Sequence, residues 1–252
     1  MKKNLSNKQI EKYSRQIVLK NVGTIGQKKI LDSNVLVVGA GGLGCPVIDY
    51  LSRAGVGRLG IIDYDKIDPS NIHRQSIYTF KDVGKYKVDV LKRKIMDINP
   101  DVKTKIFKSK ITNKNVNKIL KQFDIIVDGS DNFKTKFLLN QFARKLKKTF
   151  IVGAISRYNG HVFSFNFKSN NEACLKCFYQ SDVNEEFLNC ETDGILGPVA
   201  GIVGNMQANE VLKNILNLKN QLRDKILIID LLNLTFRQAN FSKKKNCVCG
   251  ER

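Results

Sequence analysis

Short apolar runs alternate with segments of helical periodicity along the first 155 residues of the chain. The apolar runs predict five strands, at residues 35–38, 59–62, 102–107, 125–127 and 150–153. Apolar residues at three- and four-residue spacing predict the intervening helices, at residues 43–53, 85–98, 113–121 and 133–147. Strands buried on both faces and separated by such helices are typical of a parallel sheet with right-handed crossovers. We therefore expect an α/β fold.

The pattern changes after residue 153. Residues 161–167 alternate between apolar and polar positions, which predicts an antiparallel strand. There follow a cysteine-bearing loop, a polar loop at 179–194, a glycine-rich helix from about 198 to 218 and strands at 225–231 and 235–241. We expect one domain over residues 1–252, in which the mostly parallel sheet of residues 34–155 continues as an antiparallel extension in residues 156–252.

The segment at residues 1–33 predicts a helical arm ahead of the sheet, since Ile10, Tyr13 and Ile17 recur at helical spacing and Ser6 is a candidate N-cap. No apolar leader follows Met1, and no run approaches the roughly 18 apolar residues of a membrane span. The composition, 42% hydrophobic and 26% charged, is typical of a soluble globular protein. We expect a cytoplasmic location and no membrane partner.

The formal net charge is +20 at pH 7, but its distribution argues against a nucleic-acid partner. Lysines are spread through almost every segment, and the dense runs at 145–148 and 243–245 are short. Nucleic-acid-binding surfaces tend to concentrate positive charge in stripes. We expect no specific nucleic-acid partner, while a general attraction to acidic partners stays open.

The first predicted strand leads into a glycine turn and then a helix, as in Rossmann-like nucleotide-binding folds. Gly39 permits the tight turn, Gly41 lets a phosphate approach the backbone, and Gly44 lets the helix pack close to the strand. Gly42 completes the turn at the helix N-terminus, which attracts anions. Asp63 ends the next predicted strand, where a carboxylate accepts hydrogen bonds from ribose hydroxyls. Together these residues predict an adenosine nucleotide site.

Four further polar or charged candidate residues follow neighbouring predicted strands: Asn71, Arg74, Lys87 and Asp131. In a doubly wound fold such segments meet at the carboxyl edge of the sheet, where ligands bind. Fixed cations beside a carboxylate that can hold Mg²⁺ suit displacement at a phosphate, because charge grows on the phosphate oxygens. Singly, three of them have a structural alternative: a surface lysine for Lys87, an ion pair for Arg74 and a helix cap for Asp131. Their joint pattern favours phosphate chemistry.

Two other classes of function stay open. An NAD-dependent oxidoreductase uses the same glycine turn, but it would depend on His73 or His161 as acid or base and would leave the cation cluster unexplained. A non-catalytic binding protein that kept the fold would bind its partner without turnover.

The motifs and their order resemble the ThiF/MoeB/HesA adenylyltransferases, bacterial relatives of the ubiquitin-activating enzymes. The matching segments are 13–17, 39–44, 63–65, 71–75, 83–87, 128–132, 174–177 and 197–204, with the terminal cysteines. The resemblance implies ATP–Mg²⁺ chemistry on the C-terminal Gly-Gly carboxylate of a ubiquitin-like sulfur-carrier protein, with release of pyrophosphate. It also implies a homodimer in which Arg15 reaches the partner subunit's ATP site, like an arginine finger.

The same resemblance implies the roles of individual residues. The ATP-binding set is Gly39, Gly41, Gly42, Gly44, Asp63, Asn71, Arg74, Lys87 and Asp131. Asp63 would hold the ribose, and Asp131 would support Mg²⁺ and catalysis. The family commonly has an arginine where this chain has Lys136, which keeps the charge and loses the forked geometry, so a weaker phosphate contact is expected there.

Four cysteines, Cys174, Cys177, Cys247 and Cys249, supply the thiolates of a closed structural Zn²⁺ site. The terminal pair is one residue shorter than the family's usual Cys-x-x-Cys, which strains chelation, and the first pair alone also fits a redox motif. Cys45 follows the glycine turn and is expected to be a small packed residue.

Cys190 lies in the predicted loop at 179–194, which by resemblance crosses over the inserted tail of the carrier. In the ThiF branch a cysteine here takes part in sulfur transfer, so Cys190 is a catalytic candidate. The alternative is that Cys190 is an incidental thiol of the loop. The segment at 197–201 looks closer to the thiamine branch, and a molybdopterin-type carrier remains the alternative. Because no rhodanese-like extension follows residue 252, a separate sulfur donor is expected.

Overall fold

The computed structural model describes residues 4–168, 172–179, 194–219, 221–245 and 247. The arm contains α1 (Asn7–Lys12), α2 (Ser14–Ile17) and α3 (Gly23–Leu31). The next elements are β1 (Asn34–Val38), α4 (Gly44–Ala54), β2 (Arg58–Ile62), α5 (Lys87–Ile98), β3 (Lys103–Phe107), α6 (Val116–Leu120), β4 (Ile125–Asp128) and α7 (Phe133–Lys145). The chain continues with β5 (Thr149–Ser156), β6 (Asn159–Asn166), α8 (Leu175–Phe178), α9 (Gly197–Leu216), β7 (Lys225–Asp230) and β8 (Thr235–Asn240). Two 3₁₀ turns, Pro69–Asn71 and Phe80–Asp82, lie between β2 and α5.

The eight strands form one sheet in the order β3-β2-β1-β4-β5-β6-β7-β8. Neighbours from β3 to β5 are parallel, and β6, β7 and β8 join by antiparallel pairing. The predicted fold class, a mostly parallel sheet with an antiparallel extension, is therefore confirmed. The direction of winding reverses between β1 and β4, and ligands of doubly wound folds bind beyond the carboxyl ends of the strands at such a point.

Both faces of the central strands are buried, as the continuous apolar runs predict. In β1, Val35 and Val37 pack with α4 and α5 on one side, while Leu36 and Val38 pack with α6 and α7 on the other. Helix α9 packs against α4 and covers β5. No helix in the described part of the chain is both long and apolar enough to span a membrane.

The main differences from the predicted elements occur where tertiary contacts override local pattern. The helical spacing of Ile10, Tyr13 and Ile17 is interrupted at Tyr13, which ends α1, although Ser6 forms the expected N-terminal capping box. Tyr13 is only 1% exposed and its hydroxyl accepts a hydrogen bond from Asn99 Nδ2 at 2.9 Å. The run at 150–153 extends to Ser156, because Ser156 pairs with Asn159 in the hairpin that starts the extension.

Candidate active site: a nucleotide cleft at the carboxyl edge of the sheet

A cleft of about 880 Å³ opens at the carboxyl ends of the parallel strands. Its walls come from the glycine turn after β1, the loops after β2 and β4, and the hairpin between β5 and β6. Eight of the nine residues of the predicted ATP-binding set line the cleft. The ninth, Gly44, lies at the start of α4 behind the turn. The cleft therefore lies at the carboxyl edge of the sheet, where the predicted topology places a ligand site.

The glycine turn needs glycine at its two ends for steric reasons. Gly39 has φ of +90°, and a Cβ there would lie 2.8 Å from the Gly129 carbonyl oxygen. A Cβ on Gly44 would lie 2.0 Å from the Gly39 oxygen. At Gly41, which lines the cleft, the nearest atom would be Gln75 Nε2 at 3.7 Å, so packing within the protein does not require glycine there.

Asp63 is fixed at the end of β2 by two backbone donors. Its carboxylate accepts hydrogen bonds from the Ala40 N–H at 2.7 Å and from the Asp65 N–H at 2.8 Å. Burial raises the pKa of Asp63 above its ordinary value, and Lys87 and the two N–H groups act in the opposite direction. The carboxylate is thus tied to the glycine turn while still facing the cleft, as a ribose contact requires.

Lys87 is a buried residue that lines the cleft, so the alternative of a surface lysine is not realised. Its side chain is 7% exposed, and Nζ lies 2.9 Å from Asp65 Oδ2. It opens α5 and reaches back into the cleft, which places a partly desolvated cation beside Asp63. A buried cation of this kind is suited to a polyphosphate ligand.

The loop after Pro69–Asn71 supplies the other predicted phosphate contacts. Arg74 Nη1 donates to the Ser70 carbonyl at 2.8 Å and lies 2.9 Å from His73 Nε2. The ion-pair alternative for Arg74 is not realised among the described residues, where the partners of its guanidinium are a main-chain carbonyl and an imidazole ring. Asn71 is buried, and its Oδ1 accepts from the Asp68 N–H at 3.3 Å.

Asp131 does not cap the following helix. The N-cap of α7 is Asn132, whose Oδ1 accepts from the Thr135 N–H at 2.9 Å. The exposed carboxylate of Asp131 accepts from Asn132 Nδ2 at 3.1 Å and lines the cleft. An oxygen ligand in this position fits Mg²⁺, which is bound by one or two carboxylates together with substrate phosphates.

The sequence predicts a weak phosphate contact for Lys136, but in the structure its ammonium group has three partners within the protein. Its Nζ lies 3.0 Å from Asp128 Oδ2 and donates to the carbonyl oxygens of Ser130 and Gly153, each at 2.7 Å. An ammonium has three protons, so these three partners use them all. Lys136 is therefore an internal cross-link between β4, the following loop and β5.

Three of the four predicted metal ligands lie together. Cys174 Sγ is 3.8 Å from Cys247 Sγ and 3.9 Å from Cys177 Sγ, and the three sulfur atoms are within 4.8 Å of one another. A tetrahedron with Zn–S bonds of 2.3 Å has sulfur–sulfur edges of about 3.8 Å. The spacing therefore fits zinc. Cys249 and Cys190 lie outside the described residues.

Arg15 and Cys45 are both outside the set of residues that line the cleft. Arg15 is exposed on α2 and is not among the residues that line the cleft of its own chain. Cys45 is fully buried in the core next to the glycine turn.

Two residues at the site were not among the predicted site residues: Tyr78, and His161, which the sequence offers only as an acid or base of the oxidoreductase alternative. Tyr78 donates its hydroxyl proton to the Ala40 carbonyl at 2.9 Å from below the glycine turn. His161 lines the cleft beside Tyr179, and burial lowers its pKa. An aromatic residue shortly after Arg74 and a histidine in the alternating β6 strand were the available signals, and neither is specific.

Fold and site together define a doubly wound α/β protein with a nucleotide-type cleft. The chain belongs to the ThiF family, whose family model matches residues 13–250.

Relatives in this family are similar over almost the whole chain. It is 35% identical over 251 residues to the sulfur carrier protein adenylyltransferase of Thermus thermophilus, covering 98% of this chain and 93% of that protein. It is 39% identical over 246 residues to the adenylyltransferase and sulfurtransferase MOCS3 of Culex quinquefasciatus, covering 97% of this chain but only 56% of that protein. The probable molybdopterin-synthase adenylyltransferase of Gracilaria tenuistipitata is 36% identical and is covered over 68% of its length.

Among solved structures, Escherichia coli MccB with AMPCPP and MccA superposes with a TM-score of 0.85 at 22% identity, covering 98% of this chain and 76% of MccB. At that identity the similarity concerns the fold.

Proposed function

We propose that the protein uses ATP and Mg²⁺ to adenylate the C-terminal glycine carboxylate of a ubiquitin-like sulfur-carrier protein. The observation that carries this proposal is the single cleft in which the glycine turn, Asp63, the cations Arg74 and Lys87, and Asp131 meet. A carboxylate attacking the α-phosphate needs this set: a ribose contact, cations for phosphate charge, and an oxygen ligand for a metal.

In the proposed reaction, a carboxylate oxygen of the carrier forms a bond to the α-phosphorus. The bond from that phosphorus to the bridging oxygen breaks, and its electron pair leaves with pyrophosphate, so that an acyl-adenylate remains. Lys87 and Arg74 stabilise the charge on the phosphates, Asn71 contributes a phosphate contact, and Asp63 orients the ribose. Asp131 is the residue that would hold Mg²⁺, which neutralises phosphate charge when bound.

The edge of the sheet beside the cleft offers a surface for the body of the carrier. Asp230 pairs with Asn159 in β6 and with Thr235 in β8, which places the β7–β8 turn next to the cleft-lining β5–β6 turn. Large apolar side chains are exposed in these turns and at the start of β8: Tyr158, Leu232, Leu234 and Phe236. A folded partner that packs there can extend its C-terminal tail along β6 into the cleft.

Thiamine biosynthesis is the pathway we propose first, on the basis of the sequence of the segment at 197–201, which forms the first residues of α9. A molybdopterin-type carrier is the second candidate, supported by relatives named MOCS3 and molybdopterin-synthase adenylyltransferase. Both candidates use the same cleft and the same reaction.

The proposal also includes a homodimer, a structural zinc and a cytoplasmic location. Arg15, exposed on the arm, would reach the cleft of the partner subunit. Zinc would be held by Cys174, Cys177, Cys247 and Cys249. Sulfur would come from a separate donor protein, and Cys190 would take part in its transfer to the carrier.

ATP–pyrophosphate exchange tests the proposal. We expect exchange that requires a carrier ending in Gly-Gly and is lost in Asp131→Ala, while Asp97→Ala, which removes an exposed carboxylate on α5, keeps it. Exchange with the molybdopterin-type carrier but not the thiamine-type carrier would select the second candidate. Absence of exchange with both carriers, together with tight binding of a nicotinamide dinucleotide, would contradict adenylation and favour the oxidoreductase.

A further inference from the structure

Two buried donors hold one carbonyl of the glycine turn from the side opposite the cleft. The Ala40 oxygen accepts the hydroxyl proton of Tyr78 at 2.9 Å and lies 3.5 Å from Cys45 Sγ. Tyr78 is 3% exposed and Cys45 is fully buried, so water does not compete for this carbonyl. Nothing in the proposed reaction yet uses either side chain.

The direction of this carbonyl determines the direction of the next N–H. The chain has no cis peptide bond among its described residues. In a trans peptide the C=O and the N–H point to opposite sides, so a carbonyl of Ala40 held toward Tyr78 turns the N–H of Gly41 away from the core. Gly41 lines the cleft, and its N–H is thereby directed into it.

The peptide before it is fixed independently. The N–H of Ala40 donates to Asp63 Oδ2 at 2.7 Å. Two successive peptides of the turn are therefore pinned, one through Asp63 and one through Tyr78. A rotation of the Ala40–Gly41 peptide would break the Tyr78 bond and leave a buried carbonyl without its strong donor, which is costly.

We propose that Tyr78 is a positioning residue for the nucleotide phosphates: its hydroxyl sets the Ala40–Gly41 peptide so that the Gly41 N–H donates to a phosphate oxygen. This inference rests on the proposed ATP site. Backbone N–H groups of a glycine turn at a helix N-terminus are suited to bind anions, provided that they face the ligand before it arrives.

Tyr78 also connects this peptide with the cation loop. Its backbone N–H donates to the Gln75 carbonyl at 3.1 Å, and the N–H groups of Gln75 and Arg74 donate to the Asn71 carbonyl at 2.9 and 3.1 Å. The loop that carries Asn71 and Arg74 is therefore connected to the glycine turn through the side chain of Tyr78, which holds the Ala40 carbonyl. Burial raises the pKa of Cys45 to about 12 and that of Tyr78 well above its usual range, so both remain protonated donors at neutral pH.

The test is the affinity of the full-length protein for ATP and for adenosine, by titration calorimetry, in the wild type and in Tyr78→Phe. Loss of one buried hydrogen bond to the turn is expected to weaken ATP binding about fivefold. Adenosine, which has no phosphate, should keep its wild-type affinity. A purely structural role would weaken both ligands alike.

Ser52→Ala is the matched control, because Ser52 is also buried and donates its hydroxyl to a main-chain carbonyl, that of Ile48. It should lower the thermal midpoint similarly and leave ATP affinity unchanged. If Tyr78→Phe fails to fold, Cys45→Ala removes the second donor, and a smaller loss confined to ATP is expected.

If Tyr78→Phe binds ATP as tightly as the wild type, or loses affinity for ATP and adenosine equally, the positioning role of Tyr78 is overturned. The proposed ATP site would not be affected by that result. A wild-type protein that does not bind ATP would overturn the proposed function as well.

Discussion

The ion pair between Lys87 and Asp65 determines what each residue contributes when a polyphosphate binds. The lysine is almost fully buried and the aspartate is 45% exposed, so the pair is open to the cleft on its acidic side. Without the lysine, the carboxylate would face the phosphates unpaired, which adds repulsion to the loss of a cation.

We predict that Lys87→Met lowers kcat/KM for ATP in the exchange assay about 100-fold, within the range that removal of one electrostatic contact to a transition state produces. Lys92→Met, on an exposed position of the same helix, should have no effect. Asp65→Asn should recover part of the loss in the Lys87→Met background. Equal activities of Lys87→Met and the wild type would remove Lys87 from the site.

Lys136 has a different kind of importance, because its ammonium is the partner of a fully buried carboxylate. Asp128 is 0% exposed and Lys136 is 3% exposed. We predict that Lys136→Met lowers the free energy of unfolding by about 3–5 kcal/mol, since it leaves the Asp128 charge buried without its partner. Urea denaturation measures the change, and Lys134→Met, on an exposed position of the same helix, is the control. A loss below 1 kcal/mol would show that Lys136 is dispensable for folding.

At the scale of elements, the cysteine cluster joins the C-terminal segment to α8. Cys174 is the N-cap of α8, Cys177 lies within α8 and Cys247 follows β8, so a metal on these sulfurs would close a long loop of chain. The cysteines belong to the core between α7 and the extension, and none of them is among the residues that line the cleft.

We predict one zinc per chain by elemental analysis, absent from Cys177→Ser and retained in Cys45→Ala. Chelation should lower the thermal midpoint by several degrees, because metal-binding energy contributes to folding. ATP affinity, measured below the lowered midpoint, should change little. A protein purified without zinc whose midpoint a chelator does not alter would contradict a structural metal and leave the redox alternative for the Cys174–Cys177 pair.

The sequence predicts those elements whose physical cause is local. The glycine turn, the apolar strands and the carboxyl-edge position of Asp63 follow from sterics and periodicity, and the structure has them where they are expected. Lys136 and Tyr78 could not be assigned in this way, because their partners, Gly153 and Ala40, lie far away in the chain and are main-chain carbonyls with no sequence signal. The break at Tyr13 has the same origin, since its partner Asn99 comes from another helix end.

For the whole molecule, the exposed arm raises the question of which cleft Arg15 serves. Tyr13 anchors the arm on the core, on the face formed by α4 and Asn99, and a Cβ at Gly55 would lie 2.4 Å from the Tyr13 hydroxyl. Arg15 follows directly and does not line the cleft of its own chain. In a two-fold symmetric dimer, the arm of each chain would present its Arg15 to the partner subunit.

Complementation between two inactive variants tests the arm in the assembled protein. Arg15→Ala and Asp131→Ala homodimers should each lack exchange activity. When the two are co-expressed in equal amounts, half of the dimers are mixed, and in each mixed dimer one cleft combines an intact Arg15 with an intact Asp131 if the arginine acts across the interface. About a quarter of all clefts should then be active. An arginine that acts within its own chain leaves every cleft defective, and no activity returns. The recovered activity therefore decides whether one chain or two builds a working site.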